Sequence, residues 1–240
     1  MKLIINEGCS TKEIFPHVPT ENKKVKLKGI NVFIQQEIIK HSVIQVKTCG
    51  ICKTFKPPRA HHCKICNRCY LKYDHHCFFL DVCIGFHNYK YLFQFICANI
   101  IQSFYFIITI SVQFNNPIST SIIVNNIIAL SLELILLIIM IFMLSFHIYL
   151  ITNNETTVEH EALNKYINGN TRFSEIFQEG PITQLSENKD RTILNPYNIS
   201  PLENWKQVFG NNIIDWIKPD ISSYGDGTSF IKNYKDYDMI

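Results

Sequence analysis

Cysteine and histidine residues are concentrated in one short window of this sequence. Seven of the nine cysteines lie between Cys49 and Cys83, in the run CGICKTFKPPRAHHCKICNRCYLKYDHHCFFLDVC. The pairs Cys49/Cys52 and Cys63/Cys66 have the Cys-x-x-Cys spacing that grips one zinc ion through a short turn. Where such a window faces a reducing cytosol, disulfides are disfavoured. The pattern therefore predicts metal binding or catalysis.

The number of ligands suits two zinc sites. A structural zinc ion takes four cysteine or histidine ligands, so two sites need eight. The six cysteines of the window other than Cys77, with one histidine from each of the pairs His61/His62 and His75/His76, supply that number. The count leaves over Cys77 and the other histidine of the second pair.

The leftover thiol of Cys77 lies three residues after Asp74. A histidine can accept the thiol proton, and a carboxylate can hold the imidazole in the required tautomer, which together make an activated nucleophile. Nearby metal-bound and basic groups favour the reactive thiolate. The other interpretation is that Cys77 is a spare zinc ligand and Asp74 is merely solvated. The spacing alone leaves both open.

Two long apolar stretches follow the window. All 23 Lys and Arg residues lie before Tyr91 or after Leu150, and the sixty residues between hold one acid, Glu133. The runs 91–112 and 122–151 exceed the roughly 20 residues that a helix needs to cross a bilayer. Two core helices of a soluble protein are the disfavoured alternative, because such long runs without Lys or Arg are uncommon in soluble folds.

The distribution of basic residues predicts the orientation. Two crossings return the chain to its starting side, so both flanks share one compartment. Fifteen basic residues precede the first run and eight follow the second, against none in the connecting QFNNPISTS turn. The positive-inside rule therefore places both termini in the cytosol. The start, MKLIINEGCS, lacks the apolar core of a secretory signal.

The cysteine-rich window resembles that of the DHHC family of protein S-acyltransferases. The resemblance runs from Thr48 to about Phe95 and includes KPPRAHHC, DHHC, the later Cys83 and GFHNYKY. It implies two interleaved structural zinc sites. Their ligands would be Cys49, Cys52, His62 and Cys69 in the first site and Cys63, Cys66, His76 and Cys83 in the second.

The same resemblance implies a catalytic set of Asp74, His75 and Cys77. Cys77 would attack the thioester of a fatty acyl-CoA, most often palmitoyl-CoA, with His75 as the base and Asp74 orienting it. The acyl group would then pass to membrane-proximal cysteines of substrate proteins. The resemblance also implies a multi-pass protein of an endomembrane, in the Golgi, the endoplasmic reticulum or the vacuole.

Two downstream segments resemble further elements of the family. TTVE at 156–159 looks like its Thr-Thr-x-Glu element, which packs near the active site, and NPYNISPLENWKQVFG at 195–210 looks like its C-terminal element. Asn204 and Trp205 occupy the usual places, whereas Ser200 stands where glycine is common. Without the family, these segments predict only a helix start and a turn followed by an amphipathic stretch.

Two departures from the family pattern bear on activity. Phe78 and Phe79 replace the usual Pro-Trp, and DVC replaces the usual Asn-Cys before glycine. Family members usually have two membrane helices before the window, whereas 48 residues precede Cys49 here and VFIQQEII is too short and polar to span. The family holds its acyl chain in a cavity between four helices, and two helices cannot enclose it equally well. Three explanations are open: a helical partner or a second copy completes the cavity, the start of the gene was missed, or activity is reduced.

Glu133 needs a partner, because a carboxylate deep in a membrane helix costs several kcal/mol without one. An unfilled helical interface is one place for it, and a hydrogen bond from a neighbouring Ser or Asn to the protonated acid is the other. Four basic residues can either contact CoA phosphates and anionic lipid headgroups or form a solvated face: Lys64, Arg68, Lys72 and Lys90.

We therefore predict an integral membrane, α-helical protein with two transmembrane helices and a cytosolic two-zinc module. The predicted divisions are a cytosolic N-terminal segment over 1–47, the zinc module over 48–90, a transmembrane hairpin over 91–151 and a cytosolic tail over 152–240. The predicted function is protein S-palmitoylation through acyl-Cys77. Membrane lipid is a predicted partner, and nucleic acid is not. The alternatives are a catalytically silent, membrane-anchored zinc adaptor and a membrane ubiquitin ligase.

Overall fold

The computed structural model describes residues 48–114, 119–168, 195–220, 223 and 225–233. In chain order, four short strands come first: β1 (His61–Cys63), β2 (Arg68–Tyr70), β3 (His75–Cys77) and β4 (Val82–Ile84). Five helices follow: α1 (Tyr89–Gln113), α2 (Thr120–Thr152), α3 (Thr157–Ile167), α4 (Pro201–Phe209) and α5 (Ile213–Ile217).

The four strands form two antiparallel hairpins of the same design. β1 pairs with β2 and β3 with β4, each over three residues. The last turn residues of the two hairpins are Asn67 and Asp81, with positive φ angles of 53° and 50°. Asn and Asp tolerate a positive φ better than most residues. An isolated hairpin of three-residue strands is at best marginally stable, so this part of the chain needs another source of stability.

Helices α1 and α2 have the dimensions of membrane spans. Their 25 and 33 residues give lengths of about 38 Å and about 50 Å, against a hydrocarbon core of about 30 Å. Only 17% of the most apolar part of α1 and 6% of that of α2 is buried inside the protein, unlike the core helices of a soluble fold. The prediction of two transmembrane helices beside a cysteine-rich module is confirmed.

The acid in the second span has a partner on the first. Ser103 is buried on α1, and its hydroxyl donates a hydrogen bond to the carboxyl group of Glu133 on α2. A second polar contact, from Asn126 Nδ2 to Gln113 Oε1 at 3.0 Å, joins the last residue of α1 to α2. These contacts agree with the expectation of a serine partner for Glu133.

The C-terminal helices pack against the ends of α1 and α2 that adjoin the strands. Ser200 caps α4 by accepting a hydrogen bond from the Glu203 amide, so the residue in place of the usual glycine has a structural role. Asn204 on α4 donates to the carbonyl of Thr152 at 2.7 Å, and Trp205 Nε1 donates to the Thr152 hydroxyl at 3.1 Å. The tail is thereby fixed to the end of α2.

Lys90 is held inside the protein. Its side chain is 2% exposed, and its ammonium donates to the carbonyls of Asp215 and Asp220 and to the Asp220 carboxylate. The expectation that Lys90 contacts CoA phosphates or lies on a solvated face is therefore wrong. Its charge instead fixes the segment that contains α5.

Candidate metal clusters and active site

The first metal cluster is built from a tight turn and one hairpin. Cys49 and Cys52 lie on the turn, where the Cys52 amide donates to the Cys49 sulfur at 3.4 Å. His62 on β1 and Cys69 on β2 face each other in the hairpin register. The Nδ1 atom of His62 lies 3.7, 3.2 and 3.8 Å from the sulfur atoms of Cys49, Cys52 and Cys69.

The second cluster repeats this arrangement one hairpin later. The Cys66 amide donates to the Cys63 sulfur at 3.5 Å, and His76 on β3 faces Cys83 on β4. The Nδ1 atom of His76 lies 3.9, 3.4 and 3.5 Å from the sulfur atoms of Cys63, Cys66 and Cys83. Neighbouring residues of a strand project to opposite faces, which explains how β1 contributes His62 to one cluster and Cys63 to the other.

Both clusters fit a zinc ion. In each, the three sulfur atoms and one imidazole nitrogen all lie within 4.8 Å of one another. Zinc bonds of about 2.3 Å to sulfur and about 2.0–2.1 Å to nitrogen place tetrahedral ligands about 3.4–3.8 Å apart. The distances from the histidine nitrogen atoms to the sulfur atoms, 3.2–3.9 Å, are close to these values. The described cysteines are free rather than disulfide-bonded. Two ions held in this way would fix hairpins that their own strands are too short to stabilise.

Cys77 belongs to neither cluster. It ends β3 and packs against the buried Ile84, Leu92 and Ile96, so it lies where the hairpins meet α1. The thiol is half-buried, whereas the side chain of Phe79 beyond it is 97% exposed. The structure thus places this cysteine outside both groups of candidate ligands.

Asp74 is oriented by two donors from the start of α3. It is fully buried, and its carboxylate accepts hydrogen bonds from the Thr157 amide at 2.8 Å and the Thr157 hydroxyl at 2.7 Å. The same carboxylate lies 2.7 Å from Nδ1 of His75. Burial by itself raises the pKa of Asp74, but the hydrogen bonds from His75 and Thr157 outweigh it, and the pKa is lowered.

The ionised Asp74 selects one tautomer of His75. With the Nδ1 proton directed at the carboxylate, Nε2 is left as the proton acceptor of the ring. His75 and Cys77 are two residues apart on β3, so their side chains project from the same face of the strand. This arrangement can deprotonate a thiol and later return the proton.

A buried ionic network joins the KPPR segment to the TTVE segment. Arg59 donates to both carboxylate oxygens of Glu159, at 2.7 and 2.6 Å, and also to the side chain and carbonyl of Asn154. The guanidinium also lies over the rings of Tyr197 and Phe230, at 4.4 and 5.0 Å from their centroids. The sequence did not predict this network, because nothing near Arg59 indicates a partner 100 residues further along the chain.

A second missed feature is a polar pair between the membrane helices. The Tyr89 hydroxyl on α1 lies 2.9 Å from Nδ1 of His147 on α2, and His147 is 2% exposed. The His147 ring is 6.3 Å from that of His75, measured between centroids. A histidine within an apolar run was the available signal, because polar groups inside membrane helices are costly without a partner.

The chain is similar to known proteins over most of its length. A sequence profile described as DHHC palmitoyltransferase matches residues 42–164. The chain is 29% identical over 204 residues to the probable protein S-acyltransferase 16 of Arabidopsis thaliana, covering 80% of this chain and 64% of that protein. It is 30% identical over 190 residues to the palmitoyltransferase ZDHHC15 of Rattus norvegicus, covering 77% and 50%. The chain therefore spans between half and two thirds of the length of these relatives.

Proposed function

Because the chain belongs to the DHHC palmitoyltransferase family, we propose that it transfers a long-chain acyl group from acyl-CoA to cysteines of other proteins through an acyl-Cys77 intermediate. One observation carries this proposal. Hydrogen bonds join Thr157 to Asp74 and Asp74 to His75, and His75 lies on the strand face that also carries Cys77. Cys77 is the cysteine of the 49–83 window that belongs to neither metal cluster.

The proposed reaction has two steps. His75 Nε2 accepts the Cys77 proton, and the thiolate attacks the carbonyl carbon of the acyl-CoA thioester. The bond to the CoA sulfur breaks, and the departing thiolate takes the proton from His75. In the second step His75 deprotonates the acceptor cysteine, whose thiolate attacks acyl-Cys77, and the proton returns to the Cys77 sulfur.

We assign the eight cluster residues to zinc and the triplet Asp74, His75 and Cys77 to catalysis. The zinc ions would act through structure alone, by holding β3 and therefore Cys77 against α1. We also propose the division into 1–47, 48–90, 91–151 and 152–240, with an endomembrane location and both termini in the cytosol. The partition of basic residues supports that orientation, which would place the site on the side where acyl-CoA is available.

The proposal is tested by trapping the intermediate. Purified protein in lipid is incubated with radiolabelled palmitoyl-CoA, and the hydroxylamine-sensitive label on the chain is measured. We expect label on the natural protein and on Cys97→Ser, a matched control in which a half-buried thiol of α1 is removed. Cys77→Ser should carry none, although its zinc content and folding are unchanged.

Two outcomes would contradict the proposal. If the label persists in Cys77→Ser, another residue is the carrier and the assignment of Cys77 is wrong. If the natural protein binds zinc and folds but never acquires label, even with a helical partner or the longer chain of the relatives, the silent adaptor is the better description.

A further inference from the structure

Helix α5 turns an apolar face away from the protein. The side chains of Ile213, Ile214 and Ile217 are 76%, 64% and 81% exposed. Residues spaced i, i+1 and i+4 lie on one side of a helix, so the three isoleucines form one patch. The other side of α5 carries Trp216, which stacks on Trp205 at 5.6 Å. A patch of this kind usually marks an interaction surface.

The position of α5 along α1 is fixed by two polar side chains. Lys90 Nζ bonds the carbonyl of Asp215, and Gln94 Nε2 donates to the carbonyls of Trp216 and Ile217 at 2.9 and 3.2 Å. These contacts hold α5 beside the first two turns of α1, at the end next to the cysteine-rich hairpins.

The first two turns of α1 lie at the edge of the hydrocarbon core. The length of α1 exceeds the hydrocarbon thickness by about 8 Å, so about one turn or slightly less extends beyond the core at each end. Lys90 is the last basic residue before the sixty residues without Lys or Arg, so the apolar span begins directly after it. A helix fastened to Lys90 and Gln94 therefore lies at the boundary between headgroups and acyl chains.

We propose that α5 is an interfacial membrane anchor, with Ile213, Ile214 and Ile217 inserted among the lipid acyl chains. The flanking charge suits that position, because the exposed Lys218 follows the patch directly and basic residues are favoured at membrane interfaces. A bilayer is the favoured occupant because α1, to which α5 is bonded, is itself embedded in lipid.

The anchor would give the tail its own attachment to the membrane. α4 is bonded to the end of α2 through Asn204, and α5 is bonded to the start of α1 through Gln94. With α5 seated in lipid, the tail bridges both membrane helices on the side of the candidate active site. The anchor does not depend on acyl transfer, so it can be tested without an activity measurement.

The test is photocrosslinking to lipid. The photoreactive residue p-benzoylphenylalanine is placed singly at Ile214 or Ile217 of the full chain. The chain is reconstituted in phosphatidylcholine and phosphatidylserine vesicles with radiolabelled phosphatidylcholine. Ile51, at 61% exposure on the cysteine-rich module, is the matched negative control for Ile214 at 64%. Ile135, at 56% exposure on α2, is the positive control.

We expect the lipid adducts at Ile214 and Ile217 to exceed those at Ile51 about fivefold or more and to approach those at Ile135. Zinc content is measured for each variant to verify folding. Adducts no more abundant than at Ile51 would overturn the proposal. So would crosslinks from Ile214 and Ile217 to protein, whether to another segment of this chain, a second copy or a partner.

Discussion

Arg59 and Glu159 form a buried, two-pronged ion pair across 100 residues of sequence, with donor–acceptor distances of 2.7 and 2.6 Å. Their side chains are 1% and 2% exposed. Glu159 also completes the capping box of α3 by accepting from the Thr156 amide. The pair therefore fixes the start of α3, and with it Thr157, against the cysteine-rich module.

Glu159→Gln should destabilise the protein strongly. The substitution leaves the charge of Arg59 buried without its counterion, a change that typically costs about 3–5 kcal/mol. Glu161→Gln is the matched control, since Glu161 is exposed and its pair with Lys165 is worth about 0.3–0.5 kcal/mol. Thermal unfolding in lipid nanodiscs compares the two. Equal midpoints would show that the buried pair does not hold the two segments together.

Metal analysis should give about two zinc ions per folded chain, one for each cluster. Cys49→Ser and Cys63→Ser should each lose the ion of the altered cluster and unfold the hairpins, because structural zinc contributes about 10–16 kcal/mol in small domains. Cys97→Ser should keep both ions. A natural protein that folds with almost no zinc would rule out the assignment.

Tyr89→Phe should destabilise the contact between the membrane helices. Among the described residues, Nε2 of buried His147 has no hydrogen-bond partner, so loss of the Tyr89 hydroxyl would leave both ring nitrogens unpaired. A buried polar group left without a partner costs about 1–3 kcal/mol. Tyr105→Phe is the control, since Tyr105 is 72% exposed on the same helix. Indistinguishable unfolding of the two variants would contradict this prediction.

Local sequence signals predicted the membrane helices and the candidate ligands, because each depends on spacing within a short stretch. The runs 91–112 and 122–151 lie within α1 and α2, and the Cys-x-x-Cys turns meet histidines from adjacent hairpins. The ion pair of Arg59 with Glu159 and the burial of Lys90 depend instead on where the tail docks. Docking brings together residues about 100 positions apart, and neither hydropathy nor local spacing predicts which of these residues come into contact.

The orientation of the termini remains a prediction of the charge distribution. In sealed vesicles from the expressing cells, epitope tags at residue 1 and residue 240 should both be cleaved by protease added to the cytosolic side. A tag near residue 117 should be protected, because the distribution of basic residues predicts that this segment lies on the other side of the bilayer. Protection of one terminal tag alone would indicate an odd number of crossings.

Thr157→Val should slow formation of the acyl-enzyme while sparing the fold. The substitution keeps the backbone donor to Asp74 but removes the hydroxyl that bonds the same oxygen as His75. Hydrogen bonds to charged groups are worth about 1.5–3 kcal/mol, so the rate should fall about tenfold or more. Thr109→Val, which removes an exposed hydroxyl bonded to a carbonyl of α1, is the matched control.

His75→Ala calibrates the effect of Thr157→Val, since loss of a general base typically costs 10²–10⁴-fold. If Thr157 acts only by orienting Asp74 and thereby His75, Thr157→Val should add little to the defect of His75→Ala. Rapid-quench measurement of labelled acyl-enzyme gives the rates of both single variants and the double variant. Fully additive losses would show that Thr157 affects the reaction by a route other than the Asp74–His75 pair.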